Sequence, residues 1–211
     1  MFGMLLDPVL ALGFLAAAVL ITLSPGPDNL MVVSLGISRG QRQGMAFGLG
    51  CALGCLSHTL LAALGVSALI AASAWAFLTL KICGGLYLSW LGIQALRSRG
   101  GVSLSAAKGG EASLAALFGK GLIANAVNPK VILFFLAFLP QFVDAGRGGA
   151  PVQILQLGVL FTLQAALLFG LIGYFSGWIG HGLVRTPAAG LWLDRVVGGI
   201  FILLGLRLIL A

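Results

Sequence analysis

The chain has 211 residues and a formal net charge of +7, yet only 8% of its residues are charged while 60% are hydrophobic. With a mean hydropathy of +1.11, it falls far outside ordinary soluble domains, in which about a quarter of residues are charged. That composition argues against a soluble enzyme or a nucleic-acid-binding module, and the continuous apolar tracts argue against a β-barrel, whose strands alternate over ~10 residues.

The expectation is an all-α integral membrane protein with six transmembrane helices, each needing ~20 apolar residues. The first spans residues 8–36 and is broken at Pro25-Gly26-Pro27; the second spans 43–68 and the third 74–96. No Lys or Arg precedes Asp7, and the apolar tract from Pro8 outruns the core of a signal peptide, so the first helix is expected to be retained. Residues 97–113, rich in Ser, Gly, Ala and charge, read as a flexible linker. The fourth helix spans 115–143 with a break at Asn128-Pro129, the fifth 152–183 and the sixth 189–210.

Basic residues set the expected orientation. Arg39 and Arg42 follow the first helix, Arg97, Arg99 and Lys108 lie in or beside the linker with Lys120 just beyond, and Arg185 and Arg195 flank the turn between helices five and six. The opposing loops hold Arg147, balanced by Asp144, and Arg207 near the end. The positive-inside rule places the linker in the cytoplasm and both termini outside.

Three helices on either side of the linker force the second half to enter the membrane from the opposite side, so a repeat would be inverted. Phe14 and Pro25 recur as Phe118 and Pro129 at equal separation, and the run Lys81 to Leu88 recurs as Arg195 to Ile202, with matching glycine pairs. The expected organisation is one membrane domain of two three-helix repeats, residues 1–97 and 114–211, joined by the linker 98–113.

The paired breaks carry the polar chemistry. Ser24-Pro25-Gly26-Pro27-Asp28-Asn29 opens the first helix, because proline removes backbone donors and glycine permits conformations that other residues resist. Asp28 and Asn29 either cap the restarted helix or face a solute, Asp28 taking a proton or a substrate ammonium. In the fourth helix, Asn125, Asn128, Pro129 and Lys130 form the counterpart; Pro129 frees the carbonyl of Asn125. Lys130 reads as a partner for a substrate carboxylate or for Asp28, with snorkelling to the surface as the alternative. His58, in the middle of the second helix, offers a proton relay or a helix-to-helix hydrogen bond. Cys51, Cys55 and Cys83 have no metal-ligand spacing and read as small packing residues. Glycines at four-residue spacing from Gly36 to Gly48, then Gly50 and Gly54, read as close-packing helix faces.

Taken together, Ser24-Pro25-Gly26-Pro27, the glycine-rich second helix, the run Gly84 to Gly92 ending at Arg97, and Asn128-Pro129-Lys130 ahead of Val131 to Phe142 resemble the lysine exporter (LysE/RhtB) family of bacterial amino acid efflux proteins. The resemblance covers nearly the whole chain and looks closest to the threonine and homoserine exporting branch. It implies a proton-driven exporter of amino acids or their derivatives in the bacterial inner membrane, and it carries over Pro25, Gly26, Pro27, Asn128, Pro129 and Lys130. The partners so implied are an amino acid, protons and the bilayer, with no nucleic acid and no cofactor; the sequence is compatible with a homo-oligomer.

Rival classes find less in the residues. An intramembrane thiol reductase would want cysteines at the breaks, and a serine protease would want Ser57 and His58 facing each other, which sequence neighbours on a helix do not. A metal-ion exporter would want clustered carboxylates or thiolates, and the chain has five acidic residues in all. A passive channel or a non-transport membrane subunit remains as the alternative that needs no proton gradient.

Overall fold

The computed structural model describes residues 6–24, 26–66, 73–98, 112–179 and 187–210, and the elements among them are all helical. Asp7 starts the first: its Oδ1 accepts the backbone N–H of Val9 at 2.8 Å and of Leu10 at 3.2 Å. Pro8 occupies the first helical position, where no N–H is required. The hydrogen bonds from Leu10 and Val9 hold the Asp7 carboxyl below its ordinary range, with a smaller contribution from Arg147.

Helix α1 (Pro8–Leu23) ends in extended backbone at Ser24, and α2 (Pro27–Arg39) restarts after Gly26 at 56° to it. Pro25 lies outside the described residues. Gly40, at a φ of 112° that favours glycine, joins α2 to α3 (Gln41–Leu61), which passes into a π-helical turn at Ala62–Val66. Helix α4 (Ala74–Arg97) is capped by Ser73, and α5 (Leu114–Ala126) by Ser113. After Asn128, α6 (Pro129–Leu133) continues as a π turn at Phe134–Phe138 and a 3-10 turn at Leu139–Phe142, the whole lying at 51° to α5. Helices α7 (Ala150–Tyr174) and α8 (Pro187–Leu210) complete the order.

Three helices, Gln41–Gly65, Trp75–Arg97 and Ala150–Tyr174, are long and apolar enough to cross a membrane, and counting each bent pair as one span gives five. Helix α8, with Asp194, Arg195 and Arg207, is not among them. Most of the expected linker, with Arg99 and Lys108, lies outside the described residues, as does Arg185.

Small residues set how the helices meet. Gly50 and Gly54 of α3 lie against Phe118, Leu122 and Asn125, while Gly121 lies against Phe47 and Cys51, so α3 and α5 run parallel. Gly44 meets Gly173, Gly48 meets Phe169 and Thr59 meets Gly158, so α7 runs antiparallel to α3. Gly85 faces Gly205 and Gly92 faces Gly198, which sets α4 and α8 antiparallel. The matched glycines of the two halves do different work: Gly84 abuts Ala137 of the π turn, whereas Gly198 abuts Gly92 and Gly199 faces open space. Outward, large apolar side chains such as Leu163 and Leu203 are 64% and 68% exposed, a surface suited to lipid. Inside, Phe14, Phe134, Phe135, Phe138 and Phe161 are buried together.

The α3–α5 seam should be intolerant of bulk. A Cβ on Gly50 would collide with the carbonyl of Phe118, and one on Gly121 with that of Phe47; neither backbone can yield cheaply. Gly50→Leu and Gly121→Leu should each cost about 1–3 kcal/mol or more, read as a lowered Tm and a smaller folded fraction in detergent. Gly119→Ala, where nothing lies within 4 Å, should leave both unchanged.

Candidate functional site

Pro129 has no N–H to donate, so the carbonyl of Asn125 loses its regular helical partner. The Asn128 N–H reaches it at 2.9 Å, and His58 of α3 adds a second contact, Nε2 lying 3.0 Å from Asn125 O. A carbonyl only accepts, so Nε2 carries the proton in this contact. Asn128 caps α6 through Oδ1, which accepts the Lys130 N–H at 3.0 Å. Its oxygen being committed there, the amide nitrogen is free to reach across to α2, where Nδ2 donates to Asp28 Oδ2 at 2.9 Å. Asn125 Nδ2 donates to the same oxygen at 3.0 Å, and its Oδ1 lies 3.4 Å from Cys55 Sγ. Asp28 is 6% exposed and sits in the first turn of α2, where the helix dipole favours a carboxylate.

The opposite charge closes the other break. Lys130 Nζ donates to Ser24 Oγ at 2.9 Å and to the carbonyls of Ser24 and Ile21 at 3.2 Å each, which occupies all the donors of an ammonium. Asn29 Nδ2 donates to the carbonyls of Thr22 and Ser24 at 2.8 and 2.9 Å. These carbonyls are the partly negative end of α1, where a cation is favourable. Lys130 of the second broken helix thus satisfies the carbonyl end of α1, and Asp28 of the first is held by side-chain amides that flank the second break. Burying a charge costs several kcal/mol, and hydrogen bonds to a charged group return ~1.5–3 kcal/mol each, so both charges depend on keeping their partners.

This arrangement corrects parts of the sequence reading. Among the described residues Lys130 and Asp28 form no ion pair; the nearby helix ends offer each a better-fitting set of partners. Neither Asp28 nor Asn29 caps α2: the cap position is Gly26, with no side-chain bond, and Asn29 instead turns back onto the end of α1. Cys55 is more than packing, because it contacts Asn125 and lines the cavity between the breaks.

Thr22, Asp28, Asn29, Asn125 and Lys130 give that cavity its polar wall, and Phe161 and Phe169 of α7 its aromatic one. It offers ≈ 20 Å³ to the centre of a water molecule, about enough for one water and far too little for a metabolite. Phe161 joins the cavity wall to a cluster of packed phenylalanine rings. Phe161 lies 4.9 Å from Phe135 and 5.5 Å from Phe134, and Phe138 and Phe14 lie 5.2 and 5.5 Å from Phe142. Arg147 binds Asp7 at 2.8 Å and Asp144 at 3.2 Å.

Ser24, Asp28, Asn29, His58, Asn125, Asn128 and Lys130 therefore meet in one place, with Pro27 and Pro129 opening their helices. Gly26 stands so close that a Cβ there would be 3.0 Å from Lys130 Nζ. Sequence reasoning missed Thr22, Gln164 and the two phenylalanines. A polar residue one turn before a break, and a glutamine inside an apolar helix, were signals for the first two; phenylalanines in an apolar chain gave none.

The family described as LysE type translocator matches residues 19–211. The chain belongs to this family. An uncharacterized membrane protein of Vibrio cholerae serotype O1 is 35% identical over 93% of this chain and 95% of its own length. A homoserine/homoserine lactone efflux protein of Salmonella typhimurium is 31% identical, covering 91% and 92%. A threonine efflux protein of Escherichia coli K12 is likewise 31% identical, covering 90% and 92%. No solved structure matches the translocator at a significant level.

Two substitutions test the cross-linked breaks. Asn125→Ala removes one donor from Asp28 and the acceptor from Cys55, and should lower stability by about 1–3 kcal/mol, measured as a drop in Tm. Gly26→Ala makes the Lys130 ammonium give by a few tenths of an ångström, which strains its contacts to the α1 carbonyls and should lower Tm slightly. Infrared bands of those carbonyls, labelled at Ile21 and Ser24, should then shift.

Proposed function

We propose that this translocator is a secondary active exporter of amino acids or amino acid derivatives, coupled to protons and working by alternating access in a bacterial cytoplasmic membrane. The observation that carries this reading is the reciprocal bracing of two broken helices around a small cavity with a polar wall. Family membership and the efflux proteins among its relatives support the substrate class. The parallel course of α3 and α5, and the antiparallel courses of α3 with α7 and α4 with α8, support six crossings in two inverted three-helix halves, 1–97 and 114–211. The basic flanks support a cytoplasmic linker and outside termini.

A zwitterion carries its own versions of the charges at the braces. Its carboxylate competes with the α1 carbonyls for Lys130, and its ammonium competes with the Asn125 and Asn128 amides for Asp28. Both amides converge on Oδ2, which leaves Oδ1 for a donor from the cavity. Binding therefore weakens the two contacts that lock the breaks, and the helix halves can re-pack around the solute. Asp28 exchanges the proton that drives the cycle. His58 acts at one remove, holding the carbonyl of Asn125 and with it the amide that braces Asp28. A metal cargo is a poorer fit: among the described residues no three of His, Cys, Asp and Glu come together.

The test is uptake of labelled threonine, homoserine, leucine and lysine into inverted vesicles, with and without a protonophore. Accumulation should require the gradient. Asp28→Asn should abolish gradient-driven accumulation with membrane abundance intact, and Lys130→Ala should raise the KM for amino acids more than for their amides. Uptake of none of the panel by folded protein, or coupling unchanged in Asp28→Asn, would overturn the reading.

A further inference from the structure

Gln164 lies on α7 one turn from the cavity-lining Phe161, and it is 9% exposed. Its Nε2 donates to Thr22 Oγ1 at 2.9 Å, but its Oε1 is buried with no hydrogen-bond partner. A buried acceptor left empty costs about as much as a lost hydrogen bond, and such a group is unusual unless something else supplies the donor. The two atoms share one carbon, so the empty acceptor lies beside Thr22, which lines the cavity. Thr22 Oγ1 acts there as an acceptor, and its own hydroxyl proton is committed to no other group among the described residues. The pair therefore holds one free donor at the cavity wall, on Thr22, and one free acceptor buried directly behind it, on Gln164.

We infer that Thr22 and Gln164 form a side-chain subsite that selects solutes bearing a hydroxyl group. A hydroxyl both donates and accepts: its proton satisfies Gln164 Oε1, and its oxygen takes the Thr22 proton. An ammonium supplies only donors, and a methyl group supplies neither, leaving the glutamine oxygen desolvated and unpaired. Discrimination of this kind exceeds what a purely apolar pocket achieves, because the penalty falls on the wrong solute. The inference rests on the exporter reading for the nature of the solute, while the residues that select the hydroxyl are argued from their own geometry.

Two measurements on the full chain separate the claims. The first is the thermal shift of purified protein with threonine against 2-aminobutyrate, and homoserine against norvaline, pairs that differ chiefly in the hydroxyl. The second is gradient-driven uptake of the same four solutes into inverted vesicles. The wild type should favour the hydroxylated member by on the order of tenfold or more. Gln164→Leu and Thr22→Val, which replace polar groups by apolar ones of similar size, should each bring the ratio toward one. Transport without hydroxyl preference, or a preference unmoved by both variants, overturns the subsite and leaves the exporter. Hydroxyl-selective binding without gradient-driven uptake overturns the exporter and keeps the subsite. Neither binding nor uptake overturns both.

Discussion

A charge buried among apolar helices survives only if its partners are guaranteed, and here the guarantee is mutual. Asp28 is held by amides that project from the break in the second half, and Lys130 is held by carbonyls exposed by the break in the first. Local contacts from Asn29 and Asn128 satisfy part of each break, and the charged groups are held from the other half. The remaining features of the site follow from that exchange: α1–α2 must cross α5–α6 closely, α3 must be thin enough to let His58 reach Asn125, and the cavity must lie where the four helix ends converge. Remove either charge and the partner groups of the other half are left desolvated, so the halves are coupled more tightly than contact area alone would make them.

Thinness comes from glycine. Water cannot drive helices together inside a membrane, so packing has to do it, and close approach is what brings short polar side chains into range. The distance over which Asn125 serves Asp28, Cys55 and His58 at once is set by Gly54, whose missing side chain leaves room for the Asn125 side chain. The glycine stripe and the polar site, which read in the sequence as separate features, are one construction.

Much of this was legible from residues alone. Apolar tracts long enough for helices, and prolines that cannot donate, pointed to the helices and to the two bends; the start of α5 differs by one residue, where Ser113 caps it, whereas α7 ends at Tyr174, nine residues before the expected 183. The membership of the site was legible too, because an aspartate, a lysine and two asparagines in apolar surroundings need a common reason. Pairing was not. Opposite charges suggest an ion pair, but helix ends are themselves partial charges, and which of the two a side chain prefers depends on the angle at which the halves cross. Thr22 and Gln164 escaped for a related reason: each is ordinary in its own helix, and only their meeting across 142 positions of sequence gives them significance.

The separation of partners along the chain also governs how the protein comes into being. Asp28 finds its amides 97 and 100 positions later. At a synthesis rate of about 5–20 residues per second, the first half waits roughly 5–20 s between the emergence of its acid and that of the groups that satisfy it. During that interval an unpartnered carboxylate and an open helix end must be sheltered by water at the membrane edge, by the insertion machinery, or by delaying the seating of α1. The groups that satisfy the first half's buried acid are thus made only after that half is complete.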